Sequence, residues 1–168
     1  MVRKKYLTCQ KCFTTWMMYK IFDMEIHEMT FQEKSAWVMI LALIVSGAFY
    51  ALSVYGAAAA LETIPPPNGI GMGVAVVIIV AIAIFGHAVA ALGNPMEANS
   101  PEDERARVIV WRAGNLSGAL LGVFSILLIM AYAAVQSGHL LFHALIASLV
   151  ISQIAEYVLT IWFYRRGV

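Results

Sequence analysis

The chain has 168 residues, of which 61% are apolar and 12% are charged, and its mean hydropathy is +0.79. Soluble domains carry about 25% charged residues, so this composition excludes an ordinary soluble domain and indicates an integral membrane protein. Eleven basic residues against ten acidic ones argue against a nucleic-acid-binding protein. Two cysteines exclude a disulfide-rich scaffold.

Four segments are long and apolar enough to cross a membrane, since a span needs about 20 such residues. We predict these spans at residues 36–60, 70–92, 114–135 and 140–163. The proline-rich segment 65–69 separates the first two spans, and the polar segment 136–139 divides a third apolar run that is too long for one helix. Residues 29–168 are therefore predicted to form an all-α fold, an integral membrane four-helix bundle.

The positions of the basic residues predict the orientation of the bundle. All eleven precede the first span, lie between the second and third spans, or follow the fourth, and the loops 62–69 and 136–139 contain none. Because cytoplasmic loops are enriched in lysine and arginine, we expect both termini to be cytoplasmic. The tryptophans Trp37, Trp111 and Trp162 lie near the same membrane boundary, which agrees with this orientation.

Residues 1–28 differ in composition from the spans and are predicted to form a separate extension. Cys9 and Cys12 have the spacing of a metal or redox pair, but a structural zinc site needs four ligands and only His27 offers another. We therefore predict no metal here. Two interpretations remain open: an amphipathic helix on the membrane surface, or an over-extended start, with Met29 as the natural first residue.

Residues 97–112 form the only sizeable polar segment after residue 34. Ser100 and Pro101, followed by three acidic residues, are typical of a helix start, and we expect this helix to continue into the third span. The segment is a candidate docking surface for a cytoplasmic protein partner. A solvated extension that fixes the orientation is the alternative.

Ionisable residues at membrane depth mark candidate functional sites, because each must face a partner or water. Glu156 lies about 13 Å and His87 about 9 Å inside the cytoplasmic edge, taking 1.5 Å per helical residue. We predict an intramembrane polar site in which these two residues approach one another, with Gln153 and Asn115 nearby. Such a site can relay protons, bind a cation or act as a structural clasp between helices. Alternatively, Glu156 is simply protonated within the bundle.

Small residues recur at every fourth position in two spans, which is typical of close helix packing. They are Gly114, Gly118 and Gly122 in the third span, and Ala144, Ser148 and Ser152 in the fourth. Since a short turn joins these spans, we expect the two stripes to pack against one another as a hairpin. A homodimer face is the alternative, so a homo-oligomer is a possible partner arrangement.

The sequence contains no phosphate-binding loop, nucleophile elbow or HExxH motif. His139 and His143 have metal-ligand spacing but no acid or cysteine close by in the sequence. We therefore predict no enzyme activity, no cofactor and no metal.

From Met29 onward, the chain resembles an uncharacterised family of small four-span bacterial inner-membrane proteins. The residues that carry this resemblance are Phe31-Gln32-Glu33-Lys34-Ser35, Asp103-Glu104-Arg105 with Arg112, Glu156, and Tyr164-Arg165-Arg166-Gly167. The resemblance implies the bacterial inner membrane and no particular activity.

Two functions follow as expectations. The first is a non-enzymatic accessory or regulatory membrane component that acts through helix packing and the loop 97–112. The second is a small oligomeric proton-coupled transporter that uses Glu156 as its coupling carboxylate. Known small multidrug exporters place their essential carboxylate in the first span, whereas Glu156 lies in the fourth, which favours the first function.

Overall fold

In the computed structural model, the described residues are 29–93 and 104–166. Contacts divide the chain into two units, Met1–Thr30 and Phe31–Val168, and the described residues of the second unit form four helices. These are α1 (Phe31–Leu61), α2 (Gly69–Gly93), α3 (Glu104–Val135) and α4 (Gly138–Arg166). Each is long and apolar enough to cross a membrane, so the protein is a multi-pass membrane protein. The predicted all-α four-helix bundle is confirmed.

The predictions for residues 1–28 lie outside the described residues, including those for Cys9 and Cys12. The same holds for the predicted helix start at Ser100 and Pro101. The described part of the loop begins at Glu104, and α3 runs from there without interruption into the third span. At 1.5 Å per residue, its 32 residues extend about 48 Å, which exceeds the roughly 30 Å of hydrocarbon in a bilayer.

Two turns with similar backbone geometry lie at one end of the bundle. One joins α1 to α2 and the other joins α3 to α4. Leu61 and Val135 are each followed by a residue in the left-handed region, Glu62 with φ 52° and Gln136 with φ 53°. This backbone conformation commonly terminates helices. Asn68 then caps α2, since its Oδ1 accepts hydrogen bonds from the backbone N of Ile70 (3.0 Å) and of Gly71 (3.4 Å). We call this end the short-loop end.

The opposite end is called the charged end, because α1 and α3 begin there and α2 and α4 finish there, close to most of the charged side chains. Helix α1 packs against both α2 and α4, and α3 packs against α4. No comparable interface joins α2 to α3 or α2 to α4 within the described ranges. The order in space is therefore α2, α1, α4, α3.

The buried core is concentrated near the charged end. Ala36 and Ile40 of α1 pack against Ile161 of α4, and Ile109 and Ala113 of α3 pack against Phe163. Alanine and serine are prominent among the other buried residues. Small side chains of this kind let membrane helices approach closely, since lipid is as apolar as leucine and burial of large side chains gains little.

Candidate functional site

Glu156 lies on α4 at the interface with α3 and is half-buried. Its Oε2 accepts a hydrogen bond from the Ser117 hydroxyl of α3 at 3.0 Å. The same oxygen accepts a second bond from Gln153 Nε2, one turn earlier on α4, at 3.2 Å. A carboxylate at membrane depth needs such partners, so the site joins the two helices of the second hairpin.

A close backbone approach supports this site. The Ser152 hydroxyl donates to the Ser117 carbonyl at 2.6 Å, and Ser152 is only 2% exposed. Gly114 lies one turn before Ser117, and a Cβ on Gly114 would lie 3.7 Å from Glu156 Oε1. The small residues therefore bring α3 within reach of the carboxyl group and leave space for it.

The two carboxyl oxygens of Glu156 differ in their surroundings. Oε2 receives both donors, whereas Oε1 has no hydrogen-bond donor among residues 29–93 and 104–166. Since a protonated acid keeps one oxygen as an acceptor and uses the other as a donor, Oε1 is the atom that can carry a proton without breaking either bond.

The predicted approach of His87 to Glu156 is wrong. His87 lies at the α1–α2 interface, where Nδ1 donates to the Ala83 carbonyl at 2.6 Å and Nε2 accepts from the Ser35 hydroxyl at 2.7 Å. The carbonyl can only accept, which places the ring proton on Nδ1. Both ring nitrogens of His87 are therefore engaged in hydrogen bonds. His87 and Glu156 lie at a similar depth in the membrane, but they do not lie on facing helices.

Asn115 does not take part in the Glu156 site. It is exposed on α3, whereas its neighbours Gly114 and Ser117 face Glu156. On a helix, successive residues are rotated by about 100°, so a residue next to the contacting face points away from it.

Another polar cluster lies near the short-loop end, and the sequence did not indicate it. His143 Nε2 donates to the Pro65 carbonyl at 3.0 Å, and its Nδ1 accepts from the Tyr50 hydroxyl at 2.8 Å. This arrangement ties α4 to α1 and to the loop 62–68. The i, i+4 pairing of His139 with His143 was a misleading signal, because His139 is exposed and His143 uses both nitrogens within the bundle.

Only part of the predicted contact between the small-residue stripes occurs. Ser148 and Ser152 of α4 are buried, at 4% and 2% exposure, and Ala144 is half-buried. A Cβ on Gly118 or Gly122, however, would meet no atom within 4 Å in the described part of the chain. These two glycines are exposed, so α4 packs on the Ser117 side of α3 and the expected glycine groove is not used.

Between described residues, two charged contacts lie at the charged end. Arg165 of α4 forms an ion pair with Glu33 of α1 through Nε and Oε1 at 3.2 Å. The guanidinium of Arg166 lies 4.3 Å from the centre of the Trp162 ring, a cation–π distance. Glu33 is 7% exposed, so the pair fixes the start of α1 against the end of α4.

The described ranges contain no group of three or more His, Cys, Asp or Glu side chains that could hold a metal ion. Comparisons with protein-family models, curated proteins and solved structures find no match. The assignment of function therefore rests on the geometry of the intramembrane polar groups.

Proposed function

We propose that the protein is a non-enzymatic accessory or regulatory membrane component that acts through helix association. The observation that carries this proposal is the placement of three ionisable side chains. His87 bonds across the α1–α2 interface, His143 across the α1–α4 interface and Glu156 across the α3–α4 interface. Each of the three interfaces between the described helices thus has at least one ionisable side chain hydrogen-bonded across it, which is the pattern of structural clasps.

The exposed surface of α3 supports an association role. In its N-terminal turns Ala106 and Ile109 are buried, with Ile109 packed against Phe163 of α4, while Arg105, Arg107 and Trp111 are exposed. This part of the helix is therefore fixed in place and presents basic and aromatic side chains outward. In the proposed orientation it faces the cytoplasm of a bacterial cell, where it is available to a protein partner.

The test of this role is capture of that partner by site-specific crosslinking. A photoreactive amino acid at Trp111 should crosslink a discrete cytoplasmic protein in membranes, and the same residue at Tyr55, which is 75% exposed in the short-loop half of α1, should not. An Arg105→Glu, Arg107→Glu variant should lose the adduct. Absence of any protein adduct at Trp111, or equal adducts at both positions, would contradict the accessory role.

A second candidate is a proton-coupled transporter, and one observation favours it. Glu156 Oε1 has no donor within the described ranges. This oxygen can therefore take up a proton while the Ser117 bond to Oε2 persists.

Glu156→Gln separates the two candidates, because glutamine retains an acceptor for Ser117 but does not titrate. In proteoliposomes with an imposed pH gradient, a transporter would show proton uptake that this variant abolishes. An accessory component would show no uptake above empty liposomes in either form, and the variant would keep the melting temperature of the wild type. Uptake that depends on Glu156 would overturn the clasp as the principal role of this residue.

A further inference from the structure

A cavity of about 630 Å³ lies in the short-loop half of the bundle. Helix α1 forms its floor, and α2 and α4 form its two walls. Because no substantial interface joins α2 to α4 among the described residues, the cavity is open between these two helices. Its volume falls in the range of about 300–1,000 Å³ that is typical of small-molecule sites.

The cavity is braced at both of its ends. At the inner end, the Ser46 hydroxyl of α1 donates to the Ala75 carbonyl of α2 at 2.8 Å. Gly47 brings α1 equally close to α4, since a Cβ there would lie 3.2 Å from Val150 Cγ1. At the outer end, His143 is bonded to Tyr50 and to Pro65. Each wall is therefore fixed to the floor helix α1 by these contacts.

The lining of the cavity is almost entirely hydrocarbon. Most lining side chains are aliphatic, among them Val54, Val76, Ile79, Ala147 and Ile151. The exceptions include Ser46, Tyr50 and His143, whose polar atoms are already bonded within the protein. An occupant of this part of the cavity gains contacts for methylene groups and finds few free polar partners.

The length of the cavity corresponds to one leaflet of a bilayer. Its lining on α1 extends from Ser46 to Ala58, which is about 18 Å at 1.5 Å per residue, against roughly 30 Å for a whole hydrocarbon core. A second cavity of about 380 Å³ adjoins it at the short-loop end and shares Tyr50 and His143 with it. This outer cavity adds Asn68 and further prolines of the loop between α1 and α2, so its polar end lies at the helix termini, at the level of lipid head groups.

We propose that this cavity binds one acyl chain of a phospholipid from the leaflet at the short-loop end. The chain enters through the gap between α2 and α4 and lies along α1, and the head group lies at the outer cavity beside Asn68. The polar end, the apolar interior and the lateral opening match the three parts of a membrane lipid. An apolar molecule without a head group would fit the interior but leave the outer cavity unused.

The experiment uses the full chain in nanodiscs that contain a phosphatidylcholine with a photoreactive diazirine on one acyl chain. After extraction into detergent and extensive washing, the sample is irradiated and the adducts are mapped by mass spectrometry. A retained lipid should label the walls of the cavity, around Val76, Ile79 and Val150. Adducts spread over the exposed surface of α3, or no adduct after washing, would overturn the proposal.

Variants that fill the cavity provide the matched comparison. Ala147→Phe and Ala51→Phe place a ring into the cavity from α4 and from its floor on α1, and each should abolish the washed adduct. Ala119→Phe adds the same ring on the exposed surface of α3. This variant should leave the washed adduct unchanged. Retention of the adduct in both filled variants would overturn the proposal. If a filled variant fails to fold, the labelling pattern of the wild-type chain still tests the proposal.

Discussion

Val38 of α1 lies directly over Gly86 of α2, so closely that a Cβ on Gly86 would overlap the valine side chain. The second methyl group and the Cβ of Val38 would lie 3.0 and 3.2 Å from the added atom. Rotation about χ1 can turn the Cβ hydrogen of the valine toward Gly86, but valine in a helix strongly favours one χ1 rotamer, and its Cβ stays 3.2 Å from the added atom in any rotamer. This contact fixes the separation of α1 and α2 one residue away from the His87–Ser35 hydrogen bond.

Gly86→Ala should destabilise the bundle, since α1 and α2 must move apart to admit the methyl group. Overpacking of this kind costs about 1–3 kcal/mol, which should appear as a lower melting temperature in detergent. Gly73→Ala is the control on the same helix, because a Cβ there meets no described atom within 4 Å. Equal melting temperatures for the two variants would show that the α1–α2 contact is not tight.

Gly118→Leu should leave the melting temperature of the monomer unchanged, because Gly118 is exposed and a Cβ there would meet no described atom within 4 Å. The small-residue spacing in the sequence predicts the opposite, with α4 forced away from α3. A clear loss of stability in the detergent-solubilised monomer would indicate that the glycine face is packed. Loss of stability confined to a dimeric fraction would instead support the alternative of a homodimer face.

His143→Phe should loosen the loop 62–68, because Tyr50 and the Pro65 carbonyl both lose their partner. Hydrogen bonds between membrane helices contribute about 0.6 kcal/mol each and at most about 1.7. Hydrogen exchange should therefore quicken at the start of α2 and around Glu62 and Thr63. His139→Phe, one turn earlier and exposed, should leave these exchange rates at the wild-type values. Unchanged exchange in His143→Phe would contradict the assigned bonds.

The proposed orientation can be tested with reporter fusions. Reporters placed after Gly69 and after Gly138 should be found outside the cytoplasm, and those after Ser100 and after Val168 inside it. The reason is that the basic residues lie at the charged end and not in the short loops. An external signal from the fusion after Ser100 would contradict this orientation.

The four helices and the turns between them were predictable, because length, composition and turn residues carry that information locally. The apolar runs set the spans, and Asn68 and Gln136 lie in the segments where we predicted breaks. The continuation of the polar loop into α3 was likewise predictable from Glu104 onward, since no helix-breaking residue intervenes.

The partners of the polar side chains were not predictable in the same way. Depth along a helix follows from counting residues, but the rotation of each helix does not, because nearly all faces of these spans are apolar and periodicity then gives no direction. His87 was consequently assigned to Glu156 although it bonds to Ser35. The glycine with the closest contact is Gly86 on α2, which belongs to neither of the stripes that we predicted on the third and fourth spans.

Glu156 offers the most direct test of whether ionisable side chains within the membrane hold the helices together. A double-mutant cycle with Glu156→Leu and Ser117→Ala isolates the bond between these side chains. Ser117→Ala leaves the Ser117 carbonyl in place, so the bond from Ser152 persists throughout the cycle. Ser125 donates to the carbonyl of Leu121 within α3 and provides the control position.

The measurement is the free energy of unfolding of the four forms in mixed detergent micelles. We expect a coupling energy of about 0.6–1.7 kcal/mol between Glu156 and Ser117, as for hydrogen bonds between membrane helices, and none between Glu156 and Ser125. A coupling energy of zero between Glu156 and Ser117 would contradict the clasp.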